Sequence, residues 1–415
     1  MRLRFLLVLA WLLLAAGCAS TPPAPSRIGP VILVSIDGFR PDYLDRGDTP
    51  TLNALAAAGV RAEAMKPAFP SLTFPNHYTL VTGLYPDHHG IVNNRMVDPI
   101  SGARFVYNDA KTTADPTWWG GEPIWVSAEK QGVHAATMFW PGSDVAIAGV
   151  RPSRWLPFDG KMKPDARVDQ LLAWIDLPPP ERARFYTLYF EQIDHAAHQD
   201  GPASAGVDAA LREVDAALAR LLDGLKRRGL SDRANLVIVS DHGGTATARE
   251  RLIYLEDLVG DDEAESVNLG ILAGLNPRSG RTADVEAKLL RPHEHMRCWR
   301  KTEVPARLHY GTHPRVPALL CLADDGWLIT TREYQATRKR FSLGEHGYDN
   351  DDPNMRALFI AQGPAFKRGL VVPEFPNVDV YPLLMHLLGL TPRPNDGDLG
   401  AVAPMLTAPS AALSR

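Results

Sequence analysis

The chain of 415 residues is 45% hydrophobic and 22% charged, with a formal net charge of -4. Those values suit a soluble globular protein of one large domain or two. The acidic balance speaks against a dedicated nucleic-acid binder, which carries a basic patch or stripe, so no stable nucleic-acid complex is expected.

The first residues, MRLRFLLVLAWLLLAAGC, join a basic start, an apolar run and small residues before Cys18, the pattern of an export signal. The apolar run is short for a helix that crosses a bilayer. Ala16-Gly17-Cys18 resembles the processing site of bacterial lipoproteins, which implies removal of residues 1–17 and a lipid on Cys18 as a membrane attachment. The expected setting is then periplasmic or outer-membrane-anchored, with plain secretion as the alternative. Residues 18–29 are rich in Pro and Ser and read as a flexible spacer. Residues 30–415 read as a single domain.

VILVSID, residues 31–37, is an apolar run rich in β-branched residues and predicts a buried parallel strand ending at Asp37. TPTLNALAAAGV predicts a helix closed by Gly59. In FPSLTFPNHYTLVTG, residues 69–83, Thr73 falls in a Pro-bounded turn just before a helix. GVHAATMFW predicts a strand, VDQLLAWIDL a helix and RFYTLYFEQID a strand ending at Asp194. Residues 206–227 have helical apolar spacing, and ANLVIVSDHGG reads as a strand running into a turn. Residues of about 246–340 are less regular and predict an inserted cap lobe; a further strand, ALFIAQGPAF, and the helix VDVYPLLMHLLGL follow. Alternating strands and helices predict an α/β fold with helices on both sheet faces, in which ligands bind beyond the carboxyl ends of the strands.

Asp37, Asp194 and Asp241 all fall at such ends. Asp194 and His198 are four residues apart in DHAAH, a spacing that shares one face if a helical turn follows the strand. Asp241 and His242 precede Gly243 and Gly244, which permit a turn on which both side chains converge, and His346 sits beside flexible glycines in GEHGYDN. Taken singly, each residue has a plain structural reading: Thr73 as a helix cap, Asp194 with His198 as a surface pair, His346 as a loop histidine. Together they offer nitrogen and oxygen donors for two divalent ions, with Thr73 as a hydroxyl that such ions would activate. Cys298 and Cys321 either form one disulfide or remain two buried thiols.

The segments VILVSIDGFRPDYL, PAFPSLTFPNHYTLVTGLYPDHHGIVNNRM, LYFEQIDHAAHQDGP, VIVSDHGG and GEHGYDN resemble the nucleotide pyrophosphatase/phosphodiesterase family of the alkaline phosphatase superfamily, in a bacterial member. The resemblance implies an alkaline-phosphatase-like core sheet and two zinc ions per chain. It places Asp37, Thr73, Asp241 and His242 around one ion, and Asp194, His198 and His346 around the other. Thr73 becomes the nucleophile, Asn94 a holder of a phosphate oxygen, and Phe74 and Phe158 the rings that clasp a base, with Trp155 as the alternative to Phe158. The implied reaction converts nucleoside triphosphates, dinucleotides and nucleotide esters to 5′-monophosphates through a phospho-threonine. No obligate protein partner is implied. Rival readings are a phosphomonoesterase, a phosphodiesterase for glycerophosphodiesters or choline lipids, and a non-catalytic surface binding protein. Leu72 departs from the lysine common before the nucleophile and leaves the preferred leaving group open.

Overall fold

The computed structural model describes residues 29–408. The signal, Cys18 and nearly all of the spacer lie outside the described residues. The strands that matter for the site are β1 (Val31–Ile36), β2 (Val60–Ala62), β3 (Ala135–Met138), β4 (Arg154–Leu156), β5 (Phe185–Phe190) and β6 (Asn235–Val239). They are followed by β7 (Ala264–Asn268), β8 (Leu272–Pro277), β9 (Met296–Arg300), β10 (Leu319–Ala323), β11 (Phe359–Gln362) and β12 (Leu370–Val372). Eight of them form one twisted sheet in the order β12-β2-β11-β6-β1-β5-β3-β4. Only β11 runs against its neighbours, so the sheet is mixed.

The unbroken apolar run of β1 is explained by burial on both faces. Val31 and Leu33 face one core; Ile32, Val34 and Ile36 face the other, as the two-residue period of a strand requires. The first core is closed by α2 (Thr73–Thr82) and α7 (Val380–Leu388). The second is closed by α1 (Pro50–Ala58), α3 (Pro164–Ile175) and α5 (Ala205–Arg227). In α5 the buried Val207, Leu211, Val214, Leu218, Leu221 and Leu225 recur every three or four residues, and the Ser204 hydroxyl caps the start by accepting from the Val207 N–H at 3.3 Å.

Helix α1 has no cap of its own. The buried Asp215 carboxylate of α5 accepts from the Thr51 and Leu52 N–H groups at 3.0 and 2.9 Å, doing for a neighbouring helix what an N-cap residue does locally. Asp215→Ala is expected to lower stability by about 1–2 kcal/mol, read as a shifted urea midpoint with an unchanged slope.

Residues after β6 do not stay irregular. β7 to β10 pair as a four-stranded antiparallel sheet in the order β7-β8-β10-β9, and Cys298 and Cys321, opposite each other on β9 and β10, are joined by a disulfide. The expected inserted lobe is present and is more regular than its sequence, because short antiparallel strands with mixed burial leave a weak pattern.

Register positions the site. Ile36 pairs with Phe190, and Ser35 with Val239, so β1, β5 and β6 end level with one another. The chain turns at each of these ends, and the three turns share one rim of the sheet.

Candidate active site

Asp37 follows β1 directly, its N–H bonded to the Phe190 carbonyl at 2.8 Å, and its side chain is buried. Asp194 is not at the end of a strand: β5 stops at Phe190, and Asp194 lies in the first turn of α4 (Gln192–Asp200), with His198 one turn later. Gly38 lets these two elements meet. Its φ is +68°, and a Cβ there would sit 3.1 Å from the Asp194 Cβ, so a larger residue would both strain the backbone and push Asp194 away. Asp241 and His242 follow β6, both fully buried.

Thr73 is the first residue of α2 and not a cap; the cap position is Leu72, in extended conformation. The turn that aims Thr73 is stapled by buried Asn76, whose amide donates to the Pro70 and Leu72 carbonyls at 2.9 Å and whose oxygen accepts from the Ala68 N–H at 2.8 Å. The Thr73 hydroxyl lies 3.3 Å from His242 Nε2. The helix start itself offers few free amides: the Phe74 N–H is bonded to Asn94 Oδ1 at 3.0 Å, and Pro75 has none. That same bond fixes Asn94 so that its NH₂ group is left to donate elsewhere, on a residue that lines the cleft.

Two clusters result. Ligand atoms of Asp37, Asp241 and His242 lie within 4.8 Å of one another, as do those of Asp194, His242 and His346. His242 Nε2 is 3.0 Å from Asp241 Oδ2 and 3.5 Å from Asp37 Oδ1. Asp194 Oδ1 is 3.4 Å from His198 Nε2 and 3.7 Å from His346 Nε2. The His242 and His346 rings stack at 3.6 Å, which seats His242 between the clusters.

The donor set fits divalent cations. Each histidine spends Nδ1 on a backbone carbonyl: His198 on Gly344 at 2.7 Å, His242 on Gly243 at 2.8 Å and His346 on Ser71 at 2.9 Å. Those bonds place the proton on Nδ1 and leave Nε2 as a lone pair, the form in which imidazole binds a metal. Asp37 Oδ1 and Asp241 Oδ2 are buried without a hydrogen-bond donor and face His242 Nε2. Lone pairs turned toward one another in a dry site are costly unless a cation lies between them. The charges agree. Burial, then the nearby Asp241 and Asp194, push the Asp37 carboxyl well above its usual range. Burial pushes Asp241 the same way, but His242 and His77 outweigh it and hold that carboxyl well below its usual range. Burial and neighbouring His242 bring His346 down to about 3, so its imidazole stays neutral.

Two supports stand behind these ligands: Tyr189, which has no local signal in the sequence, and His77, one of the histidines the sequence leaves over as supporting or structural. The Tyr189 hydroxyl donates to Asp37 Oδ2 at 2.6 Å. His77 reaches the Thr73 carbonyl and Ser35 through its two ring nitrogens at 2.9 and 2.8 Å, and lies 3.3 Å from Asp241 Oδ2. Both look like core residues on their elements, and only the packed sheet shows what their polar atoms touch. Tyr189→Phe should weaken zinc binding about tenfold by freeing Asp37 to rotate, which zinc titration calorimetry measures; unchanged affinity would reduce Tyr189 to packing.

The aromatic candidates separate. Phe74 is half-buried, its ring 5.8 Å from Phe105 and 5.9 Å from Tyr107. Phe158 is 57% exposed and meets Tyr189 edge-on at 6.0 Å, which connects it to Asp37. Trp155, on edge strand β4, instead carries the Arg151 guanidinium 5.3 Å from its ring. Beside Thr73 and Asn94 a cleft of about 490 Å³ runs past Asp194, His198 and His346 to the second sheet's side of the molecule.

An α/β sheet that gathers two carboxylate–imidazole clusters beside a hydroxyl at one rim defines a two-metal hydrolase of the alkaline-phosphatase-like class. The family model for type I phosphodiesterase / nucleotide pyrophosphatase matches residues 31–349, and the chain belongs to that family. Mouse ectonucleotide pyrophosphatase/phosphodiesterase family member 1 is 39% identical over 413 residues, covering 96% of this chain and 45% of the mouse protein. An uncharacterized pyrophosphatase/phosphodiesterase of Schizosaccharomyces pombe is 38% identical, covering 90% of this chain and 80% of its own length. Among solved structures, murine ectonucleotide pyrophosphatase/phosphodiesterase 5, an inactive Thr-to-Ala variant in complex with AMP, superposes with a TM-score of 0.87 at 33% identity, covering 91% of this chain and all of that one. The chain spans about half the length of the mammalian relatives it matches.

These relatives come from mammals and a yeast, and another is a venom phosphodiesterase of Crotalus durissus collilineatus. The expectation of a bacterial member, with a signal, a lipoprotein anchor and a periplasmic or outer-membrane setting, is therefore corrected: the relatives named here are eukaryotic, several of them ecto-enzymes by name. The physical reason is that a basic start, an apolar run and small residues answer to the general needs of membrane insertion and cleavage and carry little information on lineage. Among the described residues no helix is long and apolar enough to cross a membrane.

Proposed function

We propose that the chain hydrolyses phosphodiester and diphosphate bonds of nucleotides, releasing nucleoside 5′-monophosphates through an ester on Thr73. The observation that carries this reading is the Thr73 hydroxyl, held at the first turn of α2 and 3.3 Å from His242 Nε2, at the point where the two clusters meet. The inactive Thr-to-Ala variant of the murine relative supports the same role.

Asp37, Asp241 and His242 would hold one zinc ion together with Thr73; Asp194, His198 and His346 would hold the other. Bound there, the ions supply positive charge that lowers the pKa of the hydroxyl and neutralises phosphate oxygens. Thr73 Oγ gives up its proton to solvent as it bonds to phosphorus, and the phosphorus–oxygen bond opposite it breaks, its electron pair leaving with the departing oxygen, while the nucleoside stays on the phosphorus. Asn94 donates its NH₂ group to a non-bridging oxygen as charge builds there. Water then attacks the phospho-threonine from the side the leaving group vacated, returning a proton to Thr73 Oγ. Phe74 and Phe158 offer aromatic faces for a base, a contact tolerant of base identity.

The test is a panel of ATP, a cyclic nucleotide, a phosphomonoester, an aryl ester of thymidine 5′-monophosphate and glycerophosphocholine, assayed before chelation, after it, and with zinc restored. Zinc-dependent turnover of ATP and the nucleotide ester above the other compounds is expected. Preference for the phosphomonoester or glycerophosphocholine would overturn the reading.

A further inference from the structure

The cleft does not end at the second cluster. Its lining also takes in the segment around α6 (Arg332–Thr337), which contributes Tyr334, Gln335 and Arg338. This segment is tied down at both ends. The Thr331 hydroxyl caps α6 by accepting from the Tyr334 N–H at 3.1 Å, and Arg332 clasps Asp257 at 2.7 and 2.9 Å. Beyond Arg338, Arg340 reaches Asp200 at 3.2 Å and the Gln199 carbonyl at 3.0 Å, both at the end of α4. Each of those arginines has a carboxylate. Arg338, between the two anchors and half-buried in the cleft wall, makes no ion pair and no side-chain hydrogen bond among the described residues; its guanidinium lies 5.6 Å from the Tyr334 ring centre. An unpaired cation held by an anchored strap on the wall of a cleft is arranged to receive an anion.

Geometry says which anion. An in-line displacement by Thr73 sends the leaving group away from Oγ, into a cleft whose lining joins Thr73 to Asp194, His198, His346 and Arg338. We propose that Arg338, packed against Tyr334, is the binding site for the phosphate-bearing leaving group, the pyrophosphate of a nucleoside triphosphate. This rests on the nucleotide phosphodiesterase reading and sets its leaving-group preference, which Leu72, an apolar residue beside the nucleophile, does not supply.

Two substrates that share a phosphorus centre but differ in what departs make the test: ATP and the p-nitrophenyl ester of thymidine 5′-monophosphate. Arg338→Ala should lower kcat/KM for ATP about tenfold or more, the worth of one charge-assisted contact, and change the aryl ester by less than about twofold. Arg338→Lys should restore part of the loss. Because Arg338 makes no ion pair or side-chain hydrogen bond among the described residues, the melting temperature should move by no more than about a degree. Binding gives a second readout: in a Thr73→Ala background, calorimetry with ATP and with AMP should show the ATP-to-AMP affinity ratio falling by the same factor on Arg338→Ala. Equal losses on both substrates, or an unchanged ATP-to-AMP ratio, would overturn the proposal. If the unmodified protein cleaved neither substrate, the phosphodiesterase reading would fall, while the affinity ratio would still decide what Arg338 holds.

Discussion

Thr73→Ala should cut turnover of a nucleotide ester by about a thousandfold or more while leaving the protein folded and loaded with zinc. The size follows from what is lost: with no hydroxyl at the point where the clusters meet, no ester can form, and only the polarised site remains. The fold should survive because the Thr73 side chain makes one polar contact, at 3.3 Å to His242, and the Asn76 staple that shapes the turn does not involve it. The metal should stay because Asp37, Asp241 and His242 converge without Thr73. Thr73→Ser should keep most of the activity, since the oxygen stays on the same turn. The measurements are kcat, zinc content by mass spectrometry, and acid-quench trapping of the nucleotidylated chain, which the parent should show and the alanine variant should not. Turnover within about tenfold of the parent would remove the covalent route.

Stripping zinc should abolish activity and also soften the protein. Asp37, Asp241 and Asp194 bring three carboxylates to one rim, two of them buried, and two buried oxygens lack any donor. Without cations that set is a local liability. With them, each ion stabilises the folded chain by about 4 kcal/mol when free zinc stands at a thousand times its dissociation constant. Chelated protein should therefore melt several degrees lower, and both melting temperature and turnover should return on adding about two equivalents of zinc per chain. Asp241→Asn should imitate the chelated state in part, because Asp241 lies against His242 at 3.0 Å in the first cluster. Recovery of full activity with one equivalent, or an unchanged melting curve after chelation, would count against a two-ion centre.

Sequence patterns carried far toward this site because its parts are local. The β1 run, the glycine that ends α1 and the helical spacing of α5 each stabilise their own element, so short windows report them. The Asp-His pairs were legible because turns at strand ends are where an α/β sheet exposes side chains for ligands. Element ends were less legible. Asp194 reads as the end of a strand but begins a helix, since an apolar strand followed by a polar helical turn has no sharp compositional edge. Thr73 reads as a turn residue but is helical, because Asn76 closes the turn from behind, through bonds that no spacing rule encodes.

The amino-acid order by itself determined the alternation of strands and helices, the candidate donors and their placement near strand ends. The tertiary structure alone decided that β11 runs against the sheet, that His242 sits between both clusters, that Tyr189 and His77 support the ligands, and that Arg338, unpaired among the described residues, lines the cleft. The division has one cause. Periodicity is written in neighbouring residues, whereas strand direction, register and shared contacts depend on partners tens to hundreds of positions away, whose placement follows from packing the whole chain.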